Sequence, residues 1–487
     1  MTASESTRET SEQQLPTTAA RVKTAPEEAF SPAAASRRLV QGFSATALSP
    51  VVITVAQLVS VPVFLRFWGP NLYGEWLLLS TVPSYLSLSD MGFGSVAGND
   101  MTMRVAAGDQ QGALRSFQSA WVMICAISAG VSALAVCAGY LLPLGRWLKV
   151  ASMSQREFRG VLLLLICYAL GSLQTTLTAS GFRCDGNYAI AALLLNILKL
   201  FEALGVAAAV ALGARPVLAA IFLVIVRWGG LVLLCLVMRH RSPWITWGVK
   251  HANRASIRQM ARPACAFMAF PLGNALSIQG MLVVVGVVLG PLAVTVFSTT
   301  RTLTRVGFLI LETIKQSIWP EMSAAFGAKN WAYARKLHGK ACQVSVLLCA
   351  AAVLFLAIFG PRIYVVWTHG SVKFEPTLFY VLLAVIIADS LWSASSVTSL
   401  ACNAHQRIAA AYLGGTIASL ALAYISMSRF GLVGPALALL AIDVPMTRYV
   451  LRSSLAILRE TPRGFLNELC TTPNLLGLAV QVMGKES

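Results

Sequence analysis

An all-α, polytopic membrane protein of about 12 transmembrane helices, built as two six-helix lobes related by a parallel pseudo-repeat, is predicted by three features of the sequence. Of 487 residues, 56% are hydrophobic and only 12% charged, against about 25% charged in an ordinary soluble domain. Apolar runs of roughly 18 residues or more, long enough to cross a bilayer, centre near residues 55, 84, 130, 169, 199, 227, 276, 305, 348, 389, 417 and 443. Short elements around Gly69, Gly108 and Ile190 recur around Gly290, Gly327 and Ile408. Six spans separate each element from its copy. An even number makes both halves enter the membrane in the same sense, about an axis along the membrane normal, with the transport path between them.

Residues 1–38, rich in Ser, Thr, Glu, Ala and Pro without a periodic apolar face, are expected to be a disordered cytoplasmic tail. No cleavable signal is visible. Arg37 and Arg38 precede a full-length span with no small-residue cleavage site, so they read as a positive anchor and not as a twin-arginine signal. Residues 39–239 hold spans 1–6. The turn "WGPNLYGEW" after span 1 places Gly69-Pro70 where "LGPLAVTVF" places Gly290-Pro291, 221 residues later. Span 2 ends in "SDMGFGSVAGND", whose Gly92, Gly94 and Ala97 fit the dinucleotide pattern G-x-G-x-x-A. That fingerprint needs a strand before it in a βαβ unit, whereas a membrane helix containing Pro83 precedes it here. The glycines are therefore expected to bend the span or admit a close neighbour.

"AAGDQQGALRSF" and "AFGAKNWAYARK" align Gly108 with Gly327 before spans 3 and 9, and "YAIAALLLN" and "QRIAAAYLG" open spans 5 and 11. Residues 240–261 form a basic cytoplasmic linker, 262–455 hold spans 7–12, and 456–487 form a cytoplasmic C-terminal tail. Most of the 38 Lys and Arg residues fall on the side of the termini, as the positive-inside bias requires. Arg146, Lys149, Arg156 and Arg159, between spans 3 and 4 on the predicted outer side, dissent. They imply either an anionic partner outside or a different span count.

The net charge of +18 thus orients the chain in a bilayer, and no nucleic-acid partner is expected. Ten cysteines without a C-x-x-C pair and five histidines without a cluster give no metal site or disulfide framework. Neither a phosphate loop nor a nucleophile elbow is present, so no cofactor and no enzymatic activity are expected.

The run "LRFWGPNLYGEWLLLSTVPSYLSLSDMGFGSVAGNDMTMRVAAGDQQGALRSF", with its G-P-x-x-Y-G turn, aspartate-glycine helix end and following G-D, resembles the first hairpin of Wzx-like O-antigen and polysaccharide flippases. These form the polysaccharide-transport family of the multidrug/oligosaccharidyl-lipid/polysaccharide exporter superfamily. "WPEMSAAFGAKNWAYARKLH" is similar to the matching element of that family's second lobe, and the resemblance covers most of residues 40–455. It implies a flippase of the bacterial inner membrane that moves an undecaprenyl-diphosphate-linked oligosaccharide, an O-antigen or exopolysaccharide repeat unit, from the cytoplasmic to the periplasmic leaflet. Lipopolysaccharide or exopolysaccharide biosynthesis would be the setting, with polymerase and co-polymerase proteins as further partners.

Independently of any family, charges within spans are expensive, roughly 2.5–3.5 kcal/mol each on insertion scales, and mark functional sites. The basic candidates, read as substrate contacts, are Lys199, Arg227, Arg301, Arg305 and Lys315; the acidic ones, read as ion-coupling or counter-charges, are Asp90, Glu202, Glu312, Asp389 and Asp443. Lys199 and Glu202 have i, i+3 spacing for a local pair. On span 8, Arg301, Arg305, Glu312, Lys315 and Gln316 fall within roughly a 100° arc of an ideal helix, a polar stripe that must face water or partners. Lys199, Arg227 and Arg301 lie near mid-span, the level of transporter sites, and guanidinium forks suit phosphate.

The alternative is a small-molecule secondary transporter, either a drug or cation antiporter of the same superfamily or a major-facilitator-type carrier. The latter's G-x-x-x-D-R-x-G-R loop is not seen in "GSVAGNDMTMRVAAGD", and a cation exporter should have a predominantly acidic cavity. A glycosyltransferase, polymerase or ligase acting on the same lipid would be expected to carry a large outer loop with catalytic groups. The outer loops here are short, holding only Glu157, or His369 with Glu375.

Overall fold

The computed structural model describes residues 32–470 other than 89–91, 328, 403 and 405, and among them it contains helices and no strand. Asp90, most of the expected N-terminal tail and the end of the C-terminal one lie outside the described residues. The first lobe starts with α1 (Pro32–Leu79), which carries the first crossing and the start of the second around a kink at Gly69. Then α2 (Thr81–Leu86) and α3 (Phe93–Ala106) complete the second crossing. The third to sixth are α4 (Gln110–Leu141), α6 (Gln155–Cys184), α7 (Tyr188–Ala211) and α8 (Pro216–Arg241), with a short α5 (Leu144–Trp147) after α4.

After α9 (Arg254–Phe267), the second lobe opens with α10 (Ala269–Ala275), a π-helical turn Leu276–Gly280 and α11 (Met281–Leu289), together the seventh crossing. The eighth is α12 (Pro291–Thr304) with α13 (Val306–Gly327); the ninth to twelfth are α14 (Trp331–Trp367), α15 (Pro376–Ala401), α16 (Gln406–Phe430) and α17 (Val433–Leu458), and α18 (Pro462–Cys470) closes the described chain. Among the described residues, nine helices are long and apolar enough to span a membrane. The other three crossings are those that share a kinked helix or are broken midway: the first, second and eighth. The first helix starts at Pro32, ahead of the expected boundary at 38. Within the expected 240–261 linker, α9 begins at Arg254.

The repeat is written in the backbone. Gly69 (φ 71, ψ 169) and Gly290 (φ 92, ψ 177) adopt the same conformation, one open to glycine without a Cβ penalty, and each hands over to a proline that starts the next helix. Left-handed residues also recur as Gly108 and Lys329, Lys149 and His369, and Gly213 and Gly431. The first of these pairs corrects the sequence alignment of Gly108 with Gly327. Asp109 and Asn330 follow Gly108 and Lys329, and their side chains cap α4 and α14 by accepting the N–H groups of Gly112 and Tyr333, as N-caps do.

At the end carrying Gly69 and Gly290, both lobes contribute to one apolar core, in which Phe64, Tyr73 and Trp76 join Met281, Val294, Phe297, Tyr364 and Phe379. Polar contacts cross there too. Thr295 Oγ1 donates to Pro70 O at 2.6 Å, Trp367 Nε1 to Leu58 O at 2.7 Å, and Lys149 Nζ to Val288 O at 2.6 Å. At the linker end the cores are separate. Phe93, Met101, Phe117, Phe182 and Met238 pack with Ile245 and Met260 of the linker in one, and Met322, Ala334, Val397 and Leu458 pack in another. The lobes are therefore joined at the glycine-turn end and hold independent cores at the linker end.

The second span bends as its glycines require. The helix stops after Leu86 and resumes at Phe93 behind a left-handed Gly92. Gly94 O accepts from Ser180 Oγ of α6 at 2.8 Å, and a Cβ on Gly98 would meet Ser180 at 3.0 Å. The loop is a helix–helix contact.

Candidate functional site

Ionic groups gather in each lobe. In the first lobe, Arg227 of α8 donates through Nη2 to Glu202 Oε2 of α7 and to Tyr168 Oη of α6, both at 2.6 Å, and Tyr168 Oη donates to the same carboxylate oxygen at 3.0 Å. Arg227 and Glu202 are each 5% exposed. Gly171 makes room, since a Cβ there would lie 2.9 Å from Arg227 Cγ. The expected Lys199–Glu202 pair is not formed: Glu202 turns to the buried guanidinium, where an uncompensated charge is costlier than on an accessible lysine.

Lys199 is exposed. On a helix turning about 100° per residue it falls on the side of buried Ala192, Asn196, Glu202, Val206 and Val210, away from exposed Leu193, Ile197, Phe201 and Leu204. Lys199 is thus exposed on the side of α7 that packs against the protein. Replacing Glu202 with Ala should cost about 3–5 kcal/mol by leaving Arg227 buried and unpaired, read as a fall in the detergent-solubilised melting temperature. Lys199→Ala should leave that temperature near wild type; equal losses from both variants would contradict the pairing.

In the second lobe, Arg301 is the last basic residue of α12, and Arg305 sits at the break before α13. The break corrects the continuous stripe expected on span 8, because the arc was drawn on an unbroken helix. It leaves two arginines on one side, and on the other Glu312 and Lys315, which pair with each other at 3.2 Å. Arg301 Nη1 donates to Ser277 O in the π-helical turn at 2.9 Å, and its guanidinium lies 5.9 Å from the Phe297 ring centroid. Both arginines are half-buried.

Facing them are Asp389 on α15 and Asp443 on α17. Asp389 lies in the field of Lys315, Glu312 and Arg305, and Asp443 in that of Asp389 and Arg301, beside Trp392. Tyr412 of α16 stands among them, within reach of Asp389, Asp443 and Arg301, and its ring is 5.7 Å from that of Trp392. Among the described residues, no ion pair within 4 Å joins either arginine to a carboxylate. Opposite charges thus lie within one another's field without an ion pair, beside the Trp392 and Tyr412 rings.

Of the ten charges singled out in the sequence, the structure brings Arg301, Arg305, Glu312, Lys315, Asp389 and Asp443 together in one lobe and Lys199, Glu202 and Arg227 in the other. Tyr168, Ser277, Trp392 and Tyr412 were missed. Aromatic side chains with a polar tip inside spans were the available signal for three of them, and a backbone carbonyl at Ser277 has none. Also missed was Glu75, 1% exposed, a carboxylate just past the first glycine turn.

No protein-family model and no curated protein matches the chain. Solved structures do share its fold. One described as the inward-facing conformation of a multidrug resistance MATE family transporter of the MOP superfamily superposes with a TM-score of 0.72 at 14% identity, covering 83% of this chain and 94% of that one. The outward-facing conformation gives 0.61 at 14% identity, covering 87% and 96%. A MOP superfamily transporter from Pyrococcus furiosus, whose reverse polarity of binding pocket is said to suggest a different function, gives 0.60 at 13% identity, covering 87% and 96%. At such identities the likeness establishes the twelve-helix, two-lobe fold.

Proposed function

We propose that this chain is a lobe-rocking transporter that flips an anionic amphiphile, an undecaprenyl-diphosphate-linked oligosaccharide, from the cytoplasmic to the periplasmic leaflet. The observation that carries the proposal is the pair of half-buried arginines, Arg301 and Arg305, without a carboxylate within ion-pairing distance among the described residues. A guanidinium kept unpaired in a membrane span is expensive, and its planar fork suits a phosphate's oxygens. Lys199 adds an accessible positive charge in the other lobe, whereas Arg227 and Lys315 are already paired and serve structure or coupling. Entry from the linker end, where the lobes hold separate cores, fits loading from the expected cytoplasmic side. The resemblance of residues 65–117 to polysaccharide flippases points the same way.

Export of small molecules is the second reading. Asp389 and Asp443 favour it, as does the multidrug resistance named for a fold neighbour. The Pyrococcus furiosus neighbour, with its reversed pocket polarity, is a precedent for this fold carrying a different charge pattern and a different cargo. Removing the chain from its host separates the two readings. The flippase is expected to leave a lipid-linked oligosaccharide accumulating in the cytoplasmic leaflet, with drug sensitivity unchanged. Normal polysaccharide together with raised drug sensitivity would sink it.

A further inference from the structure

We infer that the linker between the lobes is a docking surface for anionic glycerophospholipid headgroups, pinned to the first lobe. The inference rests on the membrane fold and is independent of the transported substrate. From residue 239 to 262 the chain has Arg239, Arg241, Lys250, Arg254, Arg258 and Arg262 and not one Asp or Glu. In a loose loop these charges would be scattered. Here the backbone is fixed. Gln118 donates to Thr246 O at 2.9 Å and accepts from His251 N at 2.8 Å. Ser119 Oγ accepts from Asn253 N at 3.0 Å, and Trp244 Nε1 donates to Asp185 at 3.3 Å. Asn253 then caps α9 through Ala255 N at 2.9 Å.

One face of α9 is spoken for, because Ile257, Met260 and Ala261 pack into the first lobe's linker-end core. Arg254 and Arg258, one turn apart, are exposed, as are Lys250, His251 and the last turn of α8, Arg239–Arg241. None of these arginines or lysines has an ion-pair partner among the described residues. The patch is therefore basic, uncompensated and rigid.

Its occupant follows from its surroundings. Leu233 and Leu236, 51% and 59% exposed, lie on α8 just before Arg239, and Val249, 67% exposed, sits beside Lys250. Apolar side chains meant for acyl chains thus stop where the guanidiniums begin, the depth of the headgroups. A soluble anion would need the charges but not this apolar border, while a bilayer rich in anionic lipid matches both, as basic clusters immediately beyond a span do. The aromatic packing of Trp247 on Phe117 and Trp121, at 4.9 and 5.8 Å between ring centroids, fixes the loop that carries Lys250.

The test uses the full chain in lipid nanodiscs of phosphatidylcholine with or without phosphatidylglycerol. The melting temperature is followed, and retained lipids are counted by native mass spectrometry. Wild type should keep phosphatidylglycerol over phosphatidylcholine and melt higher with it, and about 0.5 M salt should remove the gain through screening. Lys250→Gln/Arg254→Gln/Arg258→Gln should weaken phosphatidylglycerol retention roughly tenfold or more, while Arg254→Lys/Arg258→Lys should keep most of it. Should the Gln variant melt early in phosphatidylcholine alone, Arg239→Gln/Arg241→Gln on α8 asks the same question without touching α9. Unchanged retention in both Gln variants overturns the inference. So does displacement of phosphatidylglycerol by millimolar inorganic pyrophosphate, which would assign the patch to a free or substrate-borne diphosphate.

Discussion

Arg301→Gln/Arg305→Gln is expected to abolish translocation of a labelled lipid-linked oligosaccharide in reconstituted vesicles while the protein still inserts and melts near its wild-type temperature. Glutamine keeps a donor for Ser277 O, the one hydrogen bond that Arg301 makes to the π-helical turn, and removes only the charge. No ion pair within 4 Å is broken among the described residues, so the large penalty for orphaning a buried carboxylate, about 3–5 kcal/mol, should not appear. Lysine at both positions keeps the charge without the planar fork and should give partial activity. If the arginines instead serve as distant counter-charges for Asp389 and Asp443, the melting temperature will fall first and activity will follow it. Full translocation by the double Gln variant would rule out phosphate handling there.

The contrast between Arg301 and Arg227 marks the limit of what could be read from residue order. Hydropathy located all twelve crossings because lipid solvation acts on each segment separately, and the Gly-Pro turns located the repeat because few residues other than glycine accept the φ seen at Gly69 and Gly290. Which charge meets which was not legible. Arg227 and Lys199 look alike in sequence, each a cation near mid-span, yet only Arg227 lies across from Glu202 and Tyr168. That choice is made by the packing of α6, α7 and α8. Helix breaks were equally hidden: an arc drawn at constant pitch carried the stripe through Arg305, where α12 in fact ends. The helix inside the linker was not legible, because its apolar residues Ile257 and Met260 are spaced among arginines and have meaning only against Phe117 and Phe182. The basic loop between the third and fourth crossings makes contacts of its own. Lys149 reaches the other lobe, Arg159 lies over the ring of Tyr140 at 5.0 Å, and Glu157 pairs with Arg215 at 2.9 Å.

That loop leads to the second large effect, expected from Gly74→Ala. A Cβ on Gly74 would stand 2.0 Å from the carbonyl oxygen of Pro291, a backbone atom at the start of α12, so α1 and α12 must separate by more than 1 Å to reach an ordinary contact of about 3.4 Å. The separation falls where Thr295 binds Pro70 O and where Glu75, the next residue, organises the loop between the third and fourth crossings. The Glu75 carboxylate accepts the N–H groups of Ala151, Ser152 and Met153 at 2.7, 2.6 and 3.0 Å. This anchors the loop in which Lys149, held at φ 54, donates to Val288 O of the other lobe. A methyl at Gly74 should therefore wedge the glycine-turn end open and close the linker end, if the lobes rock as rigid bodies. Spin labels at Ala151 and Leu292 should report a longer distance, and labels at Lys250 and Lys336 a shorter one, with transport largely lost. Glu75→Ala acts on the same joint without a clash: it strands three backbone N–H groups, each costing about 1–3 kcal/mol if left unsatisfied, and should shift both distances the same way with a lower melting temperature. Wild-type distances and transport in Gly74→Ala would mean that this joint does not hold the lobes together.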